Sequence, residues 1–470
     1  MRTFDTLPVE FVYRILDHLN DFTLFCSMQN VCHRLNQILN VYHRYQTLTT
    51  LSLNNIPIGP QGARRLANAL RTNTTLTKLI LRDNRIKSEG AHHIANALRM
   101  NTTLVTLDIQ YNDIGDRGVM YLADALRVNK TLIVLNISAN GIKDQGVERL
   151  VDALVINKTL TTLHLGTNYI RDEGAENIAA LLRINTTLTS LDLYNSEFRY
   201  ECVTYIFDAL RLNTTLTTLT MSMNQISDQN IVHLAEILRN NTTLTTLNFH
   251  SNYLKDQGAE HLANALRVNS ILVVLDLYSN QIGQSGVKYL ADALRVNTTL
   301  ATLKFGNNPI GPQGLEYLVD VLRINTTLTT LDLRENGIRD HGTELLAELL
   351  RVNTSLTTLV ISENKIGDQG AKQLANVLRV NTTLTELNIS WNRIERQGIR
   401  CLSDALCVNT TLKILGIIGN EIEQEVANYL ADALLVNTAL VKLTIGMSRI
   451  RGQKEQRLTE TVHVNKRIII

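Results

Sequence analysis

The sequence carries almost no net charge, since 46 basic and 44 acidic side chains leave a formal charge of +2. A protein that binds nucleic acid needs a strong positive field, so nucleic acid is not expected as the main partner. Aromatic residues are also scarce, at 5% of the chain, although hydrophobic residues reach 44%. The 470-residue chain can therefore still bury a large apolar surface.

Cysteine is equally sparse. The five cysteines form an odd set without a Cys-x-x-Cys pair or a histidine cluster, which argues against a disulfide framework and against a zinc site. The N-terminus has no leader pattern, and no stretch approaches the length of about 18 apolar residues that a membrane span needs. These absences favour a soluble protein of the cytoplasm or nucleus, with no metal and no membrane partner.

Sequence motifs of catalysis are missing as well. The chain has no phosphate-cradling glycine loop, no His-Glu-x-x-His and no nucleophile elbow. Its eleven histidines are scattered. We therefore expect a protein that is not an enzyme, uses no cofactor and is monomeric outside its complexes.

What the sequence does contain is an internal repeat of 28 residues. Asparagine recurs at every step of 28 from Asn73 to Asn465. A second asparagine series starts at Asn84 and includes Asn112 and Asn140, with failures at Ile56, Ser196 and Ser448. A register without insertion or deletion from about residue 45 to residue 470 predicts one array of about fifteen repeats, the last of them a degenerate cap.

Two periodicities alternate inside each repeat. Leu79-x-Leu81 has the period of two of a short strand with one buried face, whereas Ala63, Leu66 and Leu70 follow helical spacing. One such unit cannot bury its apolar faces alone, so the units should stack. The prediction is an α/β solenoid shaped as a horseshoe, with a parallel inner sheet and outer helices.

Both asparagine series are expected to be structural. Asn84, Asn112 and Asn140 should turn inward and hydrogen-bond the loop backbone of neighbouring repeats, because a buried bend leaves peptide groups without partners. Asn73 and its equivalents follow the helix, where asparagine tolerates the left-handed conformation that ends helices.

The stretch from Leu76 to Ile86, Leu-x-x-Leu-x-Leu-x-x-Asn-x-Ile, resembles the leucine-rich repeat. The long unit with a full helix, as in Gly62 to Leu76, is similar to the ribonuclease-inhibitor type and to the arrays of NOD-like receptors. This resemblance covers about nine-tenths of the chain and implies the same horseshoe, used to bind proteins.

Residues 3–43 break the repeat period and carry a different pattern. Leu7-Pro8-x-Glu10 suits the start of a helix, and Phe11, Ile15 and Leu19 recur every four residues. Together with Val31-Cys32-x-Arg34 the segment resembles an F-box, the three-helix motif that docks on the Skp adaptor of cullin-RING ubiquitin ligases. The resemblance implies adaptor contacts at Leu7, Pro8, Ile15, Leu16, Leu19 and Val31.

A second interpretation of this segment is a cap on the solenoid. Residues 34–43 keep the phase of the helix from Gly62 to Arg71, with Ile38 and Tyr42 at the places of Leu66 and Leu70. The two interpretations are compatible, because one helix can seal the first repeat while the others face the adaptor.

Candidate partner-binding residues lie at the outward strand positions and directly before the second asparagine, where variation among repeats is informative. Most of these positions hold Thr, Ser or Asp, but aromatic, arginine and acidic residues cluster at some of them, and such residues are common interface anchors. The candidates are Tyr111, Asp192, Tyr194, Asp276, Tyr278, Asp332, Arg334, Glu335, Glu363 and Trp391.

Three functions are consistent with these features. The first is a substrate receptor that docks on the Skp adaptor and captures a target protein on its concave face. The second is a regulatory or sensor scaffold like the repeats of NOD-like receptors, without ligase recruitment. The third is a GTPase activator of the kind built on similar repeats.

Overall fold

The computed structural model describes residues 7–27, 33–39, 43, 47–196, 198–420 and 426–445. The chain divides into two compact units, Met1–Gln225 and Ile226–Ile470.

The first unit begins with three short helices, α1 (Val9–Asp17), α2 (Asp21–Ser27) and α3 (His33–Leu39). Helix α1 buries Val12 and Leu16, four residues apart on one face. The Arg34 side chain donates a hydrogen bond of 2.6 Å from Nη2 to the carbonyl of Leu7, and so ties α3 to the start of the segment. Helix α2 packs against the first helix of the repeat array.

The repeat array of the first unit alternates strands of three residues with helices of 11 to 13 residues. In chain order the elements are β1 (Thr50–Ser52), α4 (Gly59–Leu70), β2 (Lys78–Ile80), α5 (Lys87–Leu98), β3 (Thr106–Asp108), α6 (Gly115–Leu126), β4 (Val134–Asn136), α7 (Asp144–Ile156), β5 (Thr162–His164), α8 (Asp172–Ile184), β6 (Ser190–Asp192), α9 (Tyr200–Leu210) and β7 (Thr218–Thr220).

The second unit continues the same alternation. Its elements are α10 (Asp228–Leu238), β8 (Thr246–Asn248), α11 (Asp256–Leu266), β9 (Val274–Asp276), α12 (Gln284–Leu294), β10 (Thr302–Lys304), α13 (Gly311–Leu322), β11 (Thr330–Asp332), α14 (Arg339–Val352), β12 (Thr358–Val360), α15 (Asp368–Leu378), β13 (Glu386–Asn388), α16 (Arg396–Leu406), β14 (Ile414–Gly416), α17 (Val426–Val436) and β15 (Lys442–Thr444).

Within each unit every strand pairs in parallel with the next, and the register is one whole repeat. Leu79 lies opposite Leu107 in the first unit, and Leu331 lies opposite Leu359 in the second. These central leucines are buried between the strands and the helices. The predicted fold class, an α/β solenoid of 28-residue strand and helix repeats with parallel strands, is confirmed.

The asparagine after each helix bridges two repeats. Asn101 donates from Nδ2 to the carbonyl of Leu70 at 2.8 Å, and its Oδ1 accepts from the amide of Leu104 at 2.7 Å. The expected left-handed backbone is wrong for this series, because the equivalents Asn157 and Asn185 are extended, with φ of −67° and −77°. The side chain, and not an unusual φ, satisfies the carbonyls at the helix end.

The second asparagine series forms a buried ladder. Asn112 donates from Nδ2 to the carbonyl of Leu81 at 2.7 Å, and its Oδ1 accepts from the amides of Asn84 at 3.0 Å and Ile86 at 3.2 Å. Asn140 makes the same contacts one repeat later, donating to the carbonyl of Ile109 and accepting from the amides of Asn112 and Ile114. Each side chain therefore fixes the bend of the preceding repeat, whose amides would otherwise be buried without acceptors.

Aspartates in the first turn of one helix cap the next helix. The Oδ1 of Asp116 accepts from the amides of Lys143 at 2.7 Å and Gly146 at 3.1 Å, at the start of α7. Asp340 does the same for Gly367 and Gly370 at the start of α15. These caps in trans hold successive helices in register, since the free amides of a helix start prefer an anionic acceptor.

Candidate functional site

The backbone directly before the ladder asparagine turns left-handed in repeat after repeat. Tyr111, Glu335, Glu363 and Trp391 have φ of 58°, 54°, 58° and 56°. A left-handed residue ends the extended strand, so these four side chains leave the strand edge at a sharp bend. Three of these four candidates lie in the second unit, within three consecutive repeats.

The second unit brings six polar residues together across β9 to β11, which we call the Tyr278 cluster: Asp276, Tyr278, Lys304, Asp332, Arg334 and Glu335. Lys304 Nζ lies 3.3 Å from Asp276 Oδ2. Arg334 donates from Nη2 to Asp332 Oδ2 at 2.6 Å and from Nε to both carboxylate oxygens. Asp276 and Asp332 are buried, and each has a cation as its partner.

Arg334 also lies over an aromatic ring. Its guanidinium carbon is 5.5 Å from the centre of the Tyr278 ring, a cation–π distance. The Tyr278 hydroxyl donates to Glu335 Oε1 at 3.1 Å. Burial, followed by the charge of Glu335, raises the pKa of Tyr278 to about 12, so the hydroxyl remains a donor at neutral pH.

The glycine between these two side chains makes the stack possible. Gly306 occupies, in β10's repeat, the position that Tyr278 and Arg334 hold in the flanking repeats. A Cβ atom at Gly306 would lie 2.6 Å from Arg334 Cγ and 2.7 Å from Tyr278 Cδ2. Such contacts are too short, so only glycine lets Arg334 reach the ring.

Next to this cluster lies an open groove of about 320 Å³, which we call the Trp391 groove. Glu363, Glu386, Asn388, Trp391, Gly416 and Lys442 line it, and Arg334 stands at its edge. Trp391 is 60% exposed, although it is a large aromatic residue and the only tryptophan of the chain. A Cβ atom at Gly419 would overlap the indole ring, so the tryptophan packs against the backbone of that glycine.

Two carboxylates meet where the cluster borders the groove. The pKa of Glu363 is raised above its ordinary value by desolvation, by the negative charge of Glu335 and by a hydrogen bond between the two side chains. Arg334 opposes this rise, but its guanidinium is already engaged by Asp332. At this border of the groove, Glu335 and Glu363 therefore repel each other when both carboxylates are ionised.

The candidates of the first unit form two separate sites. Arg82 lies 5.0 Å from the ring centre of Tyr111. Farther along the array, His164 Nδ1 is 3.2 Å from Asp192 Oδ2, and the Tyr194 hydroxyl donates to Met223 Sδ at 2.8 Å. Tyr111 is 47% exposed and lines an open groove of about 520 Å³ with Asp83, Asp113, Arg85 and Lys87. The second unit differs in having a tryptophan in its groove, beside an arginine that is stacked on a second ring.

Of the predicted adaptor contacts on and around α1, some are exposed and others are buried. Ile15 is 38% exposed, and Pro8 is exposed as well, whereas the Leu16 side chain is 0% exposed and packs inside. Leu7 and Leu19 are half-buried, and Val31 lies outside the described residues. Phe11, one turn before Ile15, is 53% exposed. The outward apolar face of α1 is therefore formed by Phe11 and Ile15.

The glycines that shape both surfaces were not among the sequence candidates. Gly306 follows Tyr278 by one repeat, and Gly419 follows Trp391 by one repeat. In the first unit Gly166 precedes Tyr194 by the same interval, and a Cβ atom there would lie 2.8 Å from the Tyr194 carbonyl oxygen. An aromatic residue with glycine at the same position of an adjacent repeat is the signal that would have found them.

Two other kinds of site can be assessed for the part of the chain that the structure describes. No group of three or more histidine, cysteine, aspartate or glutamate side chains in it could hold a metal ion. No helix within these described ranges is long and apolar enough to cross a membrane.

Comparison with known proteins identifies the repeats. A model of the TMOD/LMOD leucine-rich domain matches residues 30–140. A model of the leucine-rich repeat matches eight stretches, namely residues 157–179, 212–229, 240–263, 268–291, 296–319, 325–347, 352–375 and 380–403. No curated protein sequence matches the chain.

Among solved structures, the yeast complex of Rad7 and Elc1 gives a TM-score of 0.46 with 15% identity, over 88% of each chain. The internalin InlF of Listeria monocytogenes gives 0.44 with 20% identity, over 85% of this chain and 97% of that one. With its own strand and helix register and the repeat-model matches, the chain is a leucine-rich-repeat protein.

Proposed function

We propose that this protein is a non-enzymatic receptor that captures a target protein on the strand face of its second unit. The observation that carries the proposal is the exposed Trp391 in a groove beside the Tyr278 cluster. Tryptophan, tyrosine and arginine dominate the binding energy of protein interfaces. Here all three residue types are held on strand ends by backbone and side-chain contacts.

The anchoring of these side chains favours recognition. Arg334 is fixed by its hydrogen bonds to Asp332, and Trp391 packs on Gly419. A fixed side chain loses little conformational entropy when a partner binds, so its contact area contributes more to affinity. A surface exposed only to solvent would gain nothing from holding a tryptophan in place.

Affinity purification of the full chain, with quantitative mass spectrometry of captured proteins, tests the proposal. We compare wild type with Trp391→Ala and with Tyr317→Ala, an aromatic deletion on helix α13 whose ring is 40% exposed. Proteins that bind the groove should be lost from Trp391→Ala and retained by Tyr317→Ala. Identical capture profiles for the three proteins would contradict a receptor role of this face.

The finer part of the proposal is that α1 docks the receptor on the Skp adaptor of a cullin-RING ubiquitin ligase. It is supported by the F-box-like pattern and by the exposure of Phe11 and Ile15 on one face of α1. Apolar side chains four residues apart on a helix form a continuous contact strip. The captured target would then be a substrate for ubiquitin transfer.

Binding of the full chain to purified Skp adaptor tests this docking. Phe11→Arg combined with Ile15→Arg should abolish binding, because both side chains lie on the outward face. Asp17→Lys, a charge change at an exposed position on another face of the same helix, is the matched control and should bind normally. If wild type itself does not bind the adaptor, the regulatory scaffold without ligase recruitment takes the place of this proposal.

A further inference from the structure

The Trp391 groove lies next to the Tyr278 cluster, in which every charged group already has a partner from the same chain. In the Tyr278 cluster an aromatic ring, a carboxylate and an arginine form one unit, in which Arg334 stacks on Tyr278 and pairs with Asp332. The guanidinium suits both partners, because its plane stacks on a ring while its fork matches a carboxylate.

The groove repeats two of these three parts. Trp391 offers a larger aromatic surface than Tyr278, and tryptophan is the best cation–π partner among the side chains. Glu363 and Glu386 supply carboxylates at its border and floor. The residues that correspond to Arg334 in the next three repeats are Ser362, Ser390 and Ile418. The one arginine among the residues that line the groove is Arg334, which already pairs with Asp332 and stacks on Tyr278.

The charges around the groove favour an incoming cation. Arg334 is engaged by Asp332 at 2.6 Å and offsets only part of the rise in the pKa of Glu363. Glu335 and Glu363 repel each other across the border. Two cations, Arg334 and Lys442, line the groove. Because Arg334 is paired with Asp332, Lys442 is left to balance the three carboxylates Glu335, Glu363 and Glu386. A guanidinium placed beside Glu363 would relieve the carboxylate repulsion.

The floor of the groove presents polar groups. Gly416 lines the groove, and the place of a Cβ atom there is only 2.8 Å from Asn388 Oδ1 and 3.1 Å from Ser390 Oγ, so these two side chains cover the glycine. The volume of about 320 Å³ exceeds that of one guanidinium with its methylene stem. Gly419 covers one part of the indole, and Trp391 as a whole is still 60% exposed. The rest of the ring is therefore open to a ligand.

We propose that the Trp391 groove binds an arginine side chain of the partner protein, stacked on the indole and paired with Glu363. This inference rests on the proposed receptor function, because it names the chemistry that the receptor recognises. The target would present an arginine in an exposed, extended or loop segment, with few acidic neighbours.

The single tryptophan is a built-in reporter for the test. The full chain is titrated with the acetylated and amidated peptide Gly-Ser-Arg-Ser-Gly while the Trp391 emission is followed. The matched peptide contains citrulline, which keeps the shape of arginine without its charge. A third peptide, Gly-Ser-Glu-Ser-Gly, presents an anion to Arg334 and Lys442.

We expect a saturable change in emission with the arginine peptide and none with the other two. Raising the salt from 0.1 M to 0.5 M should weaken binding about threefold, since the pair is solvent-accessible. Glu363→Gln should weaken binding by about threefold or more. Glu316→Gln, a surface change on α13, should leave it unchanged, and circular dichroism confirms that each variant is folded.

Equal binding of the citrulline peptide, or saturable binding of the glutamate peptide, would overturn the inference. So would an arginine affinity that is the same in Glu363→Gln and in wild type. Failure here with continued dependence of protein capture on Trp391 leaves the receptor role standing with a partner of other chemistry. If the arginine peptide binds but protein capture does not depend on Trp391, the groove binds arginine and the proposed receptor function is contradicted.

Discussion

The Cys202 thiol lies 2.8 Å from Asp172 Oδ1 and donates to it across two successive helices. In most repeats the equivalent residue is a glycine, whose backbone amide faces the aspartate, as with Gly174 and Asp144. Here a side chain takes over the hydrogen bond. Burial, followed by the hydrogen bond and charge of Asp172, raises the pKa of Cys202 to about 12.

The first prediction is that Cys202 resists alkylation in the native protein. With a pKa of about 12, roughly one thiol in ten thousand is ionised at pH 8, and the thiolate is the reactive form. Cys407 is exposed and should react with iodoacetamide under the same conditions. Peptide mass spectrometry of the two sites measures the ratio. Unfolding in urea should make Cys202 react as fast as Cys407, and fast labelling of native Cys202 would contradict the burial.

The second prediction concerns the helix caps in trans. Asp340→Ala removes the acceptor of the Gly367 and Gly370 amides at the start of α15, and the free energy of unfolding should fall by about 1 to 2 kcal/mol. The urea midpoint measures this loss. Glu344→Ala in the same helix is the control, because its pair with His341 is exposed and 3.9 Å long. Equal losses for both variants would argue against a capping role.

The repeat register made most of the fold predictable. Leucines such as Leu79 and Leu107 indicate which face of each strand is buried. Because the period is constant, it also predicts which residues pair between successive strands within a unit. The trans caps were not predictable, because Asp116 looks like an ordinary first-turn acid whose partner, Gly146, is 30 residues away. The left-handed backbone expected after the helix was wrong, since the side-chain amide already satisfies the helix end.

The candidate site was predictable as a set of residues but not as a surface. The sequence singled out Tyr278, Arg334 and Trp391 as departures from the repeat. Whether such residues touch depends on the side chain between them, and Gly306 decides that for Tyr278 and Arg334. The burial of Leu16 depends on how α1 packs, which one helical period does not reveal.

A third prediction addresses the asparagine ladder. Asn364 accepts from the amides of Asn336 and Ile338, and its Nδ2 donates to the carbonyl of Leu333. Asn364→Ala leaves these buried groups without partners, which should cost at least about 3 kcal/mol. Hydrogen exchange at the Asn336 and Ile338 amides should accelerate with it, and unchanged exchange would exclude the ladder as their protection.

Serine at this ladder position tests whether a local hydrogen bond can replace the ladder. Ser196 occupies it in one natural repeat, where its hydroxyl donates to the carbonyl of Leu193 at 3.1 Å. In Asn364→Ser the equivalent acceptor is the carbonyl of Ile361, which Asn392 already bonds, so serine restores no contact to Asn336, Ile338 or Leu333. Asn364→Ser should therefore destabilise the protein about as much as Asn364→Ala, and a much smaller loss would show that the three lost hydrogen bonds do not set the cost.

A fourth prediction follows from the raised pKa of Glu363. Desolvation and Glu335 disfavour its ionised form in the folded chain, so the folded state binds this proton more tightly than the unfolded state. The repulsion is fully present above the raised folded pKa and is relieved as the pH falls through it. Glu363→Gln should therefore raise the melting temperature at pH 7, and the difference from wild type should vanish near pH 4. Glu316→Gln should show no such pH-dependent gain.

The last prediction isolates the geometry of the Tyr278 cluster from its charges. Gly306→Ala changes no charge, but its methyl group would lie within 3 Å of both Arg334 and the Tyr278 ring, so Arg334 must leave the ring. Target capture should then fall as it does in Arg334→Ala, measured by the same affinity purification. Gly337→Ala supplies the control for added strain, because Gly337 has a φ of 68° and open space around it. If both variants keep full capture, the stacked arginine is not part of the recognition surface. If only Gly306→Ala loses capture, the empty space at Gly306 is what positions Arg334 for the partner.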